Sequence, residues 1–386
     1  ISDVHAYKVV RYQSSSAEVF ALGIPPESDP SLDFDNPYPV GSFRQILRAW
    51  RPDVVHIHSI QGIGVQVAEA CKLEGIPFAV TLHDAWWICA RQFMVTGEGK
   101  YCYQRKIDIN ICASCVPRPT LNPYRQHRLR EVLSEAALLM SPSAFFRGIY
   151  VDNGFDPARV VVNKNGIVKP KRPPSRTLPS QRPLRFGFVG GEGPIKGGDL
   201  IKKALRGLPQ YTNYELCVVD NELNLGRRSI FDTNWKVPGT LKIVPAYNQE
   251  TIDDFFGSID VLLFPTQWKE SFGLSVREAL IRDCWVIATD AGGVIEDIVQ
   301  GENGDVIPLE DDGSALQAAI AVLLADPSRL DGYRNAHAGL ICLFEDQSSE
   351  LRDYMKTVAA AFPRPMASLA SLEPDVPAEL EPPLLH

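Results

Sequence analysis

Between Asp260 and Gly304 the chain alternates short apolar runs with a helix. Asp260-Val-Leu-Leu-Phe264 is a short run that Pro265 ends, and Val286-Ile-Ala-Thr289 is another. Between them, residues 274–281 have helical spacing, with Leu274, Ala279 and Leu280 expected on the buried side. Parallel strands need a crossover, so strand, loop, helix and strand in this order predict a βαβ unit. The same rhythm occurs earlier. Asp53-Val-Val-His-Ile-His58 reads as a strand, residues 62–75 as a helix ending at a glycine, and Pro77 to His83 as the next strand. The length, 386 residues, is enough for two such α/β domains, and the proline-rich stretch 169–183 is the natural linker between them.

The net charge of −8 argues against a nucleic-acid-binding surface. No run of about 18 apolar residues is present, so no membrane-spanning helix is expected. The eight cysteines are spread irregularly, which does not suit a disulfide scaffold. No leader segment is visible. A cytoplasmic protein is the expectation, at most peripheral to the inner face of the membrane.

Two carboxylates mark the chemistry. Glu270 falls in the loop after the 260–264 strand, and Glu278 about one turn into the helix, on the face looking back at that loop. Free backbone N–H groups of Ser271 to Leu274 can receive an anion, and Gly273 permits close backbone approach. A ligand with hydroxyls on either side of a diphosphate fits that layout, and a nucleotide sugar is such a ligand. A bare pair of glutamates at this spacing more often marks a solvated acidic helix.

The surroundings add a resemblance. E-x7-E after a strand, then EAL, a short strand, AGG and E-D-I-V, resembles the donor half of retaining family 4 glycosyltransferases. The resemblance implies the α/β GT-B fold, two Rossmann-like parallel-sheet domains facing across a cleft. It implies that Glu278 binds the donor ribose and Glu270 contacts the donor sugar. The backbone of Phe272, Gly273 and Leu274 would hold the phosphates. In the glycine-rich turn from Gly190 to Gly198, Lys196 matches the second member of a basic pair that grips the diphosphate; Gly190 lines the turn, and Gly191 stands where the first cation is usual. Backbone from Val244 to Tyr247 would flank the base. Asp283-Cys-Trp-Val286 replaces the usual Gly-x-Pro-Val turn.

On the other side, PDVVHIH and VTLHD resemble the acceptor-side domain, with His58 and His83 both ending strands. The resemblance places His83 beside the transferred sugar. It also leads to the expectation of an opening strand with a glycine-rich loop. The first glycine is Gly23 and no Gly-Gly precedes Gly190, so that opening β-α unit is expected to be truncated or to lie outside this sequence.

Cys89, Cys102, Cys112 and Cys115 are a candidate four-thiolate structural zinc site, or a set of free thiols. Around them Lys100, Arg105, Lys106, Arg118, Arg125, Arg128 and Arg130 suggest a basic patch able to touch an anionic lipid or acceptor phosphate, or an ordinary solvated face. Residues 131–140 read as a helix, Gly292 and Gly293 as the start of another, and residues 347–361 as the last.

The expected organisation is an acceptor-side domain over 1–168, a linker over 169–183, a donor domain over 184–345, a crossover helix over 346–362 and a disordered proline-rich tail over 363–386. The expected activity is metal-independent, retaining transfer of a sugar from a nucleoside-diphosphate sugar to a sugar, lipid or small-molecule hydroxyl. His83, Glu270 and Lys196 are the catalytic candidates. Two alternatives stay open: a nucleotide-sugar epimerase of the same fold, and a donor-binding protein without turnover.

Overall fold

The computed structural model describes residues 6–26, 29–172, 176–191, 193–210, 212–309 and 312–363. The expected tail beyond residue 363 lies outside them. An antiparallel hairpin, β1 (Val9–Ser14) and β2 (Ala17–Leu22), comes first. Next is a parallel sheet in the order β3 (Val55–Ile57), β4 (Phe78–Thr81), β5 (Leu138–Ser141) and β6 (Val160–Val162).

The second sheet is also parallel. Its strands are β7 (Leu184–Phe188), β8 (Tyr214–Asp220), β9 (Thr240–Pro245), β10 (Val261–Phe264), β11 (Trp285–Thr289) and β12 (Gly304–Ile307). They lie in the order β12-β11-β10-β7-β8-β9. The chain starts in the middle at β7, winds outward to β9, returns to β10 beside β7, and winds outward the other way. In such sheets ligands collect outside the carboxyl ends of the strands, where the winding reverses. Here that point lies between the loops after β7 and β10.

Both faces are buried at the centre of this sheet, and the period-two alternation shows it. Val261 and Leu263 pack into one apolar cluster with Phe186, Phe188 and Ile287. Leu262 and Phe264 pack into the opposite one with Val286 and Ala288. Residues two apart share a face, so continuous apolar runs are what a sheet covered on both sides requires.

Several side chains join the two halves. Glu296 accepts from the backbone N–H of Ala144 (3.2 Å) and Phe145 (2.6 Å), capping the helix Ala144–Asp152 from across the cleft. Gly292, at φ 71°, lies against the Phe145 ring; a Cβ there would come within 2.4 Å of it. The last helix, Phe344–Ala361, returns to the first half: Gln347 accepts from Gly166 N–H (2.7 Å) and Glu350 from Asn163 (2.6 Å). The stretch after the first half is held along the second. Arg176 donates to the carbonyls of Phe256, Ile259 and Asp283, and Arg182 pairs with Asp260.

Three local expectations are corrected. The helix expected over 131–140 is the helix Asn122–Glu135, followed by strand β5. Gly293 opens a five-residue 3-10 turn, Gly293–Asp297, in place of an α-helix. Leu274 is 48% exposed, so the buried side of its helix is carried by Val276, Arg277, Ala279 and Leu280.

Candidate active site

Lys196 and Glu270 meet where the winding reverses. Lys196 closes the glycine-rich turn after β7, and its Nζ donates to Glu270 Oε1 at 2.9 Å. The same oxygen accepts from Thr266 Oγ1 at 3.0 Å. Gly197 makes the approach possible. It has φ 83°, and a Cβ there would fall 1.9 Å from the Pro265 carbonyl oxygen. Glu270 is 9% exposed. Its backbone is locked as well: its N–H donates to Ala291 O and its carbonyl accepts from Gly293 N–H, both at 3.0 Å. The carboxylate therefore sits on fixed backbone with one cation beside it. Lys196 Nζ also lies 5.3 Å from the Trp268 ring centre, and Phe93 of the first half packs against that ring at 4.8 Å. The cleft wall at this point is built from both halves.

Glu278 is half-buried, and its Oε2 accepts from the Tyr247 hydroxyl at 2.6 Å. Burial raises its pKa, with Tyr247 and Arg282 pulling the other way. Burial, then the Glu278 charge, pushes the Tyr247 hydroxyl up. Tyr247 stacks on Phe255 with ring centres 4.9 Å apart. The Tyr247 side chain thus holds Glu278, while the expectation of a base flank concerned the backbone from Val244 to Tyr247. Val244 lies at the carboxyl end of β9, near the same edge.

Ser271, Phe272 and Gly273 form the turn into the helix Leu274–Leu280, with Gly273 at φ 85°. A helix of seven residues carries a small dipole, so the turn's free N–H groups matter more than the helix as a whole. The turn is pinned from behind by Arg277, which sequence reasoning missed. Its Nε donates to Asp297 (2.7 Å), Nη2 to Gly293 O (2.7 Å) and Nη1 to Phe272 O. Lys164 of the first half donates to the other oxygen of Asp297 at 2.7 Å. Arg277 and Asp297 both lie inside the quoted motif, and a charge on an otherwise apolar helix face was the available signal.

The acceptor-side histidines cluster at the ends of β3 and β4. His58 Nδ1 and His83 Nε2 are 2.7 Å apart, and His56 Nε2 is 2.7 Å from Thr81 Oγ1. One hydrogen lies between His58 and His83, so one of those two nitrogens must be unprotonated. Burial lowers the pKa of all three. His56 is lowered to about 4, by burial first and then by His58 and His83.

A depressed histidine pKa contributes stability that is present above the unfolded value and lost as pH falls toward the folded one. Between its ordinary value of 6.5 and about 4, His56 therefore destabilises the fold on acidification. Solvent screening reduces a ceiling of about 3 kcal/mol to about 1–2 kcal/mol. Urea unfolding at pH 7 and pH 4.5 should show His56→Gln losing less stability than the native chain, and equal losses would refute the assignment.

The four cysteines of the candidate zinc site come near one another in the first half. Among the described residues, no group of three or more His, Cys, Asp or Glu converges on an ion. Cys89 and Cys102 pack against the first apolar core, and Gln104 Nε2 reaches Cys102 Sγ at 3.3 Å. Burial, then the neighbouring thiols, pushes Cys112 up to about 11.

Three members of the basic patch are already engaged. Arg125 is buried, Arg128 pairs with Glu69 at 2.7 Å, and Arg105 with Asp152 at 2.6 Å. No helix among the described residues is long and apolar enough to cross a membrane.

Two parallel-sheet α/β domains carrying this site define a protein of the GT-B class. The Glycosyl transferase 4-like domain family matches residues 4–166, and the Glycosyl transferases group 1 family matches residues 174–338. Between them they span most of the chain, which belongs to the group 1 glycosyltransferases. Solved structures share the fold. Sucrose-phosphate synthase from Thermosynechococcus elongatus is 17% identical, with TM-score 0.64 over 91% of this chain and 86% of that one. HepE from Anabaena, in complex with UDP, is 15% identical, with TM-score 0.61 over 83% and 82%. A lipopolysaccharide core biosynthesis mannosyltransferase, LpcC from Rhizobium leguminosarum bv. viciae, is 48% identical over 59 residues, spanning 15% of this chain and 16% of that relative.

Proposed function

We propose that the chain is a retaining glycosyltransferase that moves a sugar from a nucleoside-diphosphate sugar to a hydroxyl acceptor in polysaccharide or glycoconjugate assembly. The observation that carries this reading is the Lys196–Glu270 contact at the reversal of the second sheet, next to the Gly273 turn. A diphosphate in that position takes N–H groups from the turn and charge from Lys196, while Glu270 and Glu278 accept hydroxyl hydrogens on either side. Arg277 holds the turn's shape, and Tyr247 holds Glu278.

In the reaction, the bond from the anomeric carbon to the diphosphate oxygen breaks, and one to the acceptor oxygen forms on the same face. The acceptor proton leaves on the departing phosphate. Lys196 stabilises the charge that develops there, a role that requires no metal. His83 faces the sugar from the acceptor side. The segment shared with a lipopolysaccharide core mannosyltransferase supports a growing saccharide as the acceptor class.

The test is a thermal-shift screen with UDP-, GDP-, ADP- and dTDP-sugars on the native chain and on Glu278→Ala. Saturation at a hundredfold the Kd stabilises by about 2.7 kcal/mol, roughly 5–10 °C for a domain of this size. One nucleotide sugar should produce that shift, and Glu278→Ala should abolish it. No shift with any donor would overturn the donor-site reading. Nucleotide release that requires an acceptor then separates transfer from epimerisation.

A further inference from the structure

Phe93 reaches from the first half toward the Lys196–Glu270 pair, on a strained backbone. It is 37% exposed, and its ring meets Trp268 edge-on, at 66° with 4.8 Å between centres. Trp268 in turn stands 5.3 Å from Lys196 Nζ, which donates to Glu270. On either side of Phe93 the backbone is left-handed: Gln92 has φ 62° and Met94 φ 55°. Neither is glycine, so both conformations cost free energy and persist only where surrounding bonds fix them.

Those bonds are present. Arg91 Nε donates to Cys115 O at 2.7 Å, and Gln92 Nε2 to Asp84 Oδ2 at 2.6 Å. Met94 is 2% exposed, and its carbonyl accepts from Cys102 N–H at 2.8 Å. The backbone of Arg91 and of Met94 hydrogen-bonds to the Cys89 thiol. Asp84 directly follows His83, and its other oxygen accepts from Trp86 N–H at 2.8 Å, capping the turn Ala85–Trp87. One carboxylate therefore sets both the chain leaving His83 and the loop that carries Phe93.

A contact that only joined the two halves could be made from relaxed backbone, as Phe145 does from the helix Ala144–Asp152 against Gly292. Strain held under one aromatic ring beside a reacting centre points to a ring whose place matters to the ligand. In the proposed transfer, the anomeric carbon is open to any hydroxyl on the face that the diphosphate leaves. Water is the most abundant hydroxyl, so a dry wall there decides between transfer and hydrolysis.

We propose that Phe93 is a specificity residue that keeps water from the anomeric carbon, its ring backed by Trp268 to form the apolar wall between donor sugar and acceptor. This rests on the donor-site reading above. In Phe93→Ala the wall is open. A water oxygen bonds to the anomeric carbon, the bond from that carbon to the diphosphate oxygen breaks, and one water proton leaves on the phosphate.

The test follows nucleotide release by the full chain from UDP-glucose, UDP-galactose, GDP-mannose and ADP-glucose, with no acceptor present. Thermal shift with the same four donors measures binding. Phe93→Ala should hydrolyse the bound donor about fivefold or more faster than the native chain, because water gains access to the site. Its thermal shift should be unchanged. Phe93→Tyr keeps the ring and should hydrolyse at the native rate. Gln92→Gly keeps Phe93 and tolerates the left-handed backbone but lacks the tether to Asp84, so it should give a smaller rise.

A native or lower rate in Phe93→Ala, with the thermal shift retained, would overturn this inference and leave the donor site standing. So would an equal rise in Phe93→Tyr, since the ring would then not be the barrier. A native rate in Gln92→Gly would overturn the part played by the strained loop. No thermal shift of the native chain with any of the four donors would overturn the donor-site reading, and this inference with it.

Discussion

Arg277→Met is expected to lower the free energy of unfolding by about 3–5 kcal/mol, the cost of removing one partner from a buried ion pair. Arg277 is 0% exposed and sits between Asp297, Gly293 O and Phe272 O. Methionine fills much of the volume but leaves two carbonyls and one Asp297 oxygen without their donor. Asp297 is itself buried and would keep Lys164 on its other oxygen. That remaining bond crosses between the two halves, so the loss should be accompanied by weaker association of the halves. Urea unfolding measures the first effect and limited proteolysis between residues 169 and 183 the second. Asp297→Asn in the Arg277→Met background should recover part of the loss, because a neutral amide is cheaper to bury than a carboxylate left with Lys164 on one oxygen and no donor on the other. A loss under about 1 kcal/mol would show that water replaces the guanidinium freely and that the turn is not held by it.

The sequence carried the second half of the molecule better than the first, and the reason is physical. Strands β10 and β11 are buried on both faces, so each is a short apolar run. The helix Asn122–Glu135 gave a misleading pattern because part of its buried stripe is Asn122 and Arg125. Its apolar positions begin late, at Leu129, and Leu138-Leu-Met continues the apolar run into what is a strand. The side chains Arg125 and Arg277 look like surface charges in a list of residues. Each is buried because of partners that are remote in sequence, Trp86 for one and Asp297 and Gly293 for the other. The same holds for Tyr247, whose distance to Glu278 depends on how β9 and the helix Leu274–Leu280 are laid across the sheet. At Asp283, where the resemblance led to the expectation of glycine, the backbone still adopts φ 57°. Asp283 Oδ1 accepts from Asn335 N–H at 2.9 Å, which helps to hold a conformation that costs a non-glycine residue roughly 1–3 kcal/mol.

Lys196→Ala is expected to reduce donor turnover by about 10²–10³, the range for removing one preorganised donor from a developing oxyanion. The expectation leans to the upper end because the turn offers no second cation among its described residues. Gly190 and Gly191 stand where a basic side chain could have shared the charge, and Lys269, one loop away, is paired with Asp290 at 3.0 Å. Lys196 is about a third exposed, so its truncation should leave folding intact and separate the chemical effect from a structural one. The direction of the kinetic change identifies the role. If the ammonium acts on the leaving phosphate, kcat for donor hydrolysis or transfer falls while KM changes little. If it only helps to bind the ground state, KM rises and kcat is spared. Lys196→Arg should recover little in either case, because the wider guanidinium must fit between Glu270 and Trp268. A loss smaller than tenfold would shift the assignment to Lys269, and the same measurement on Lys269→Ala would then show the larger effect.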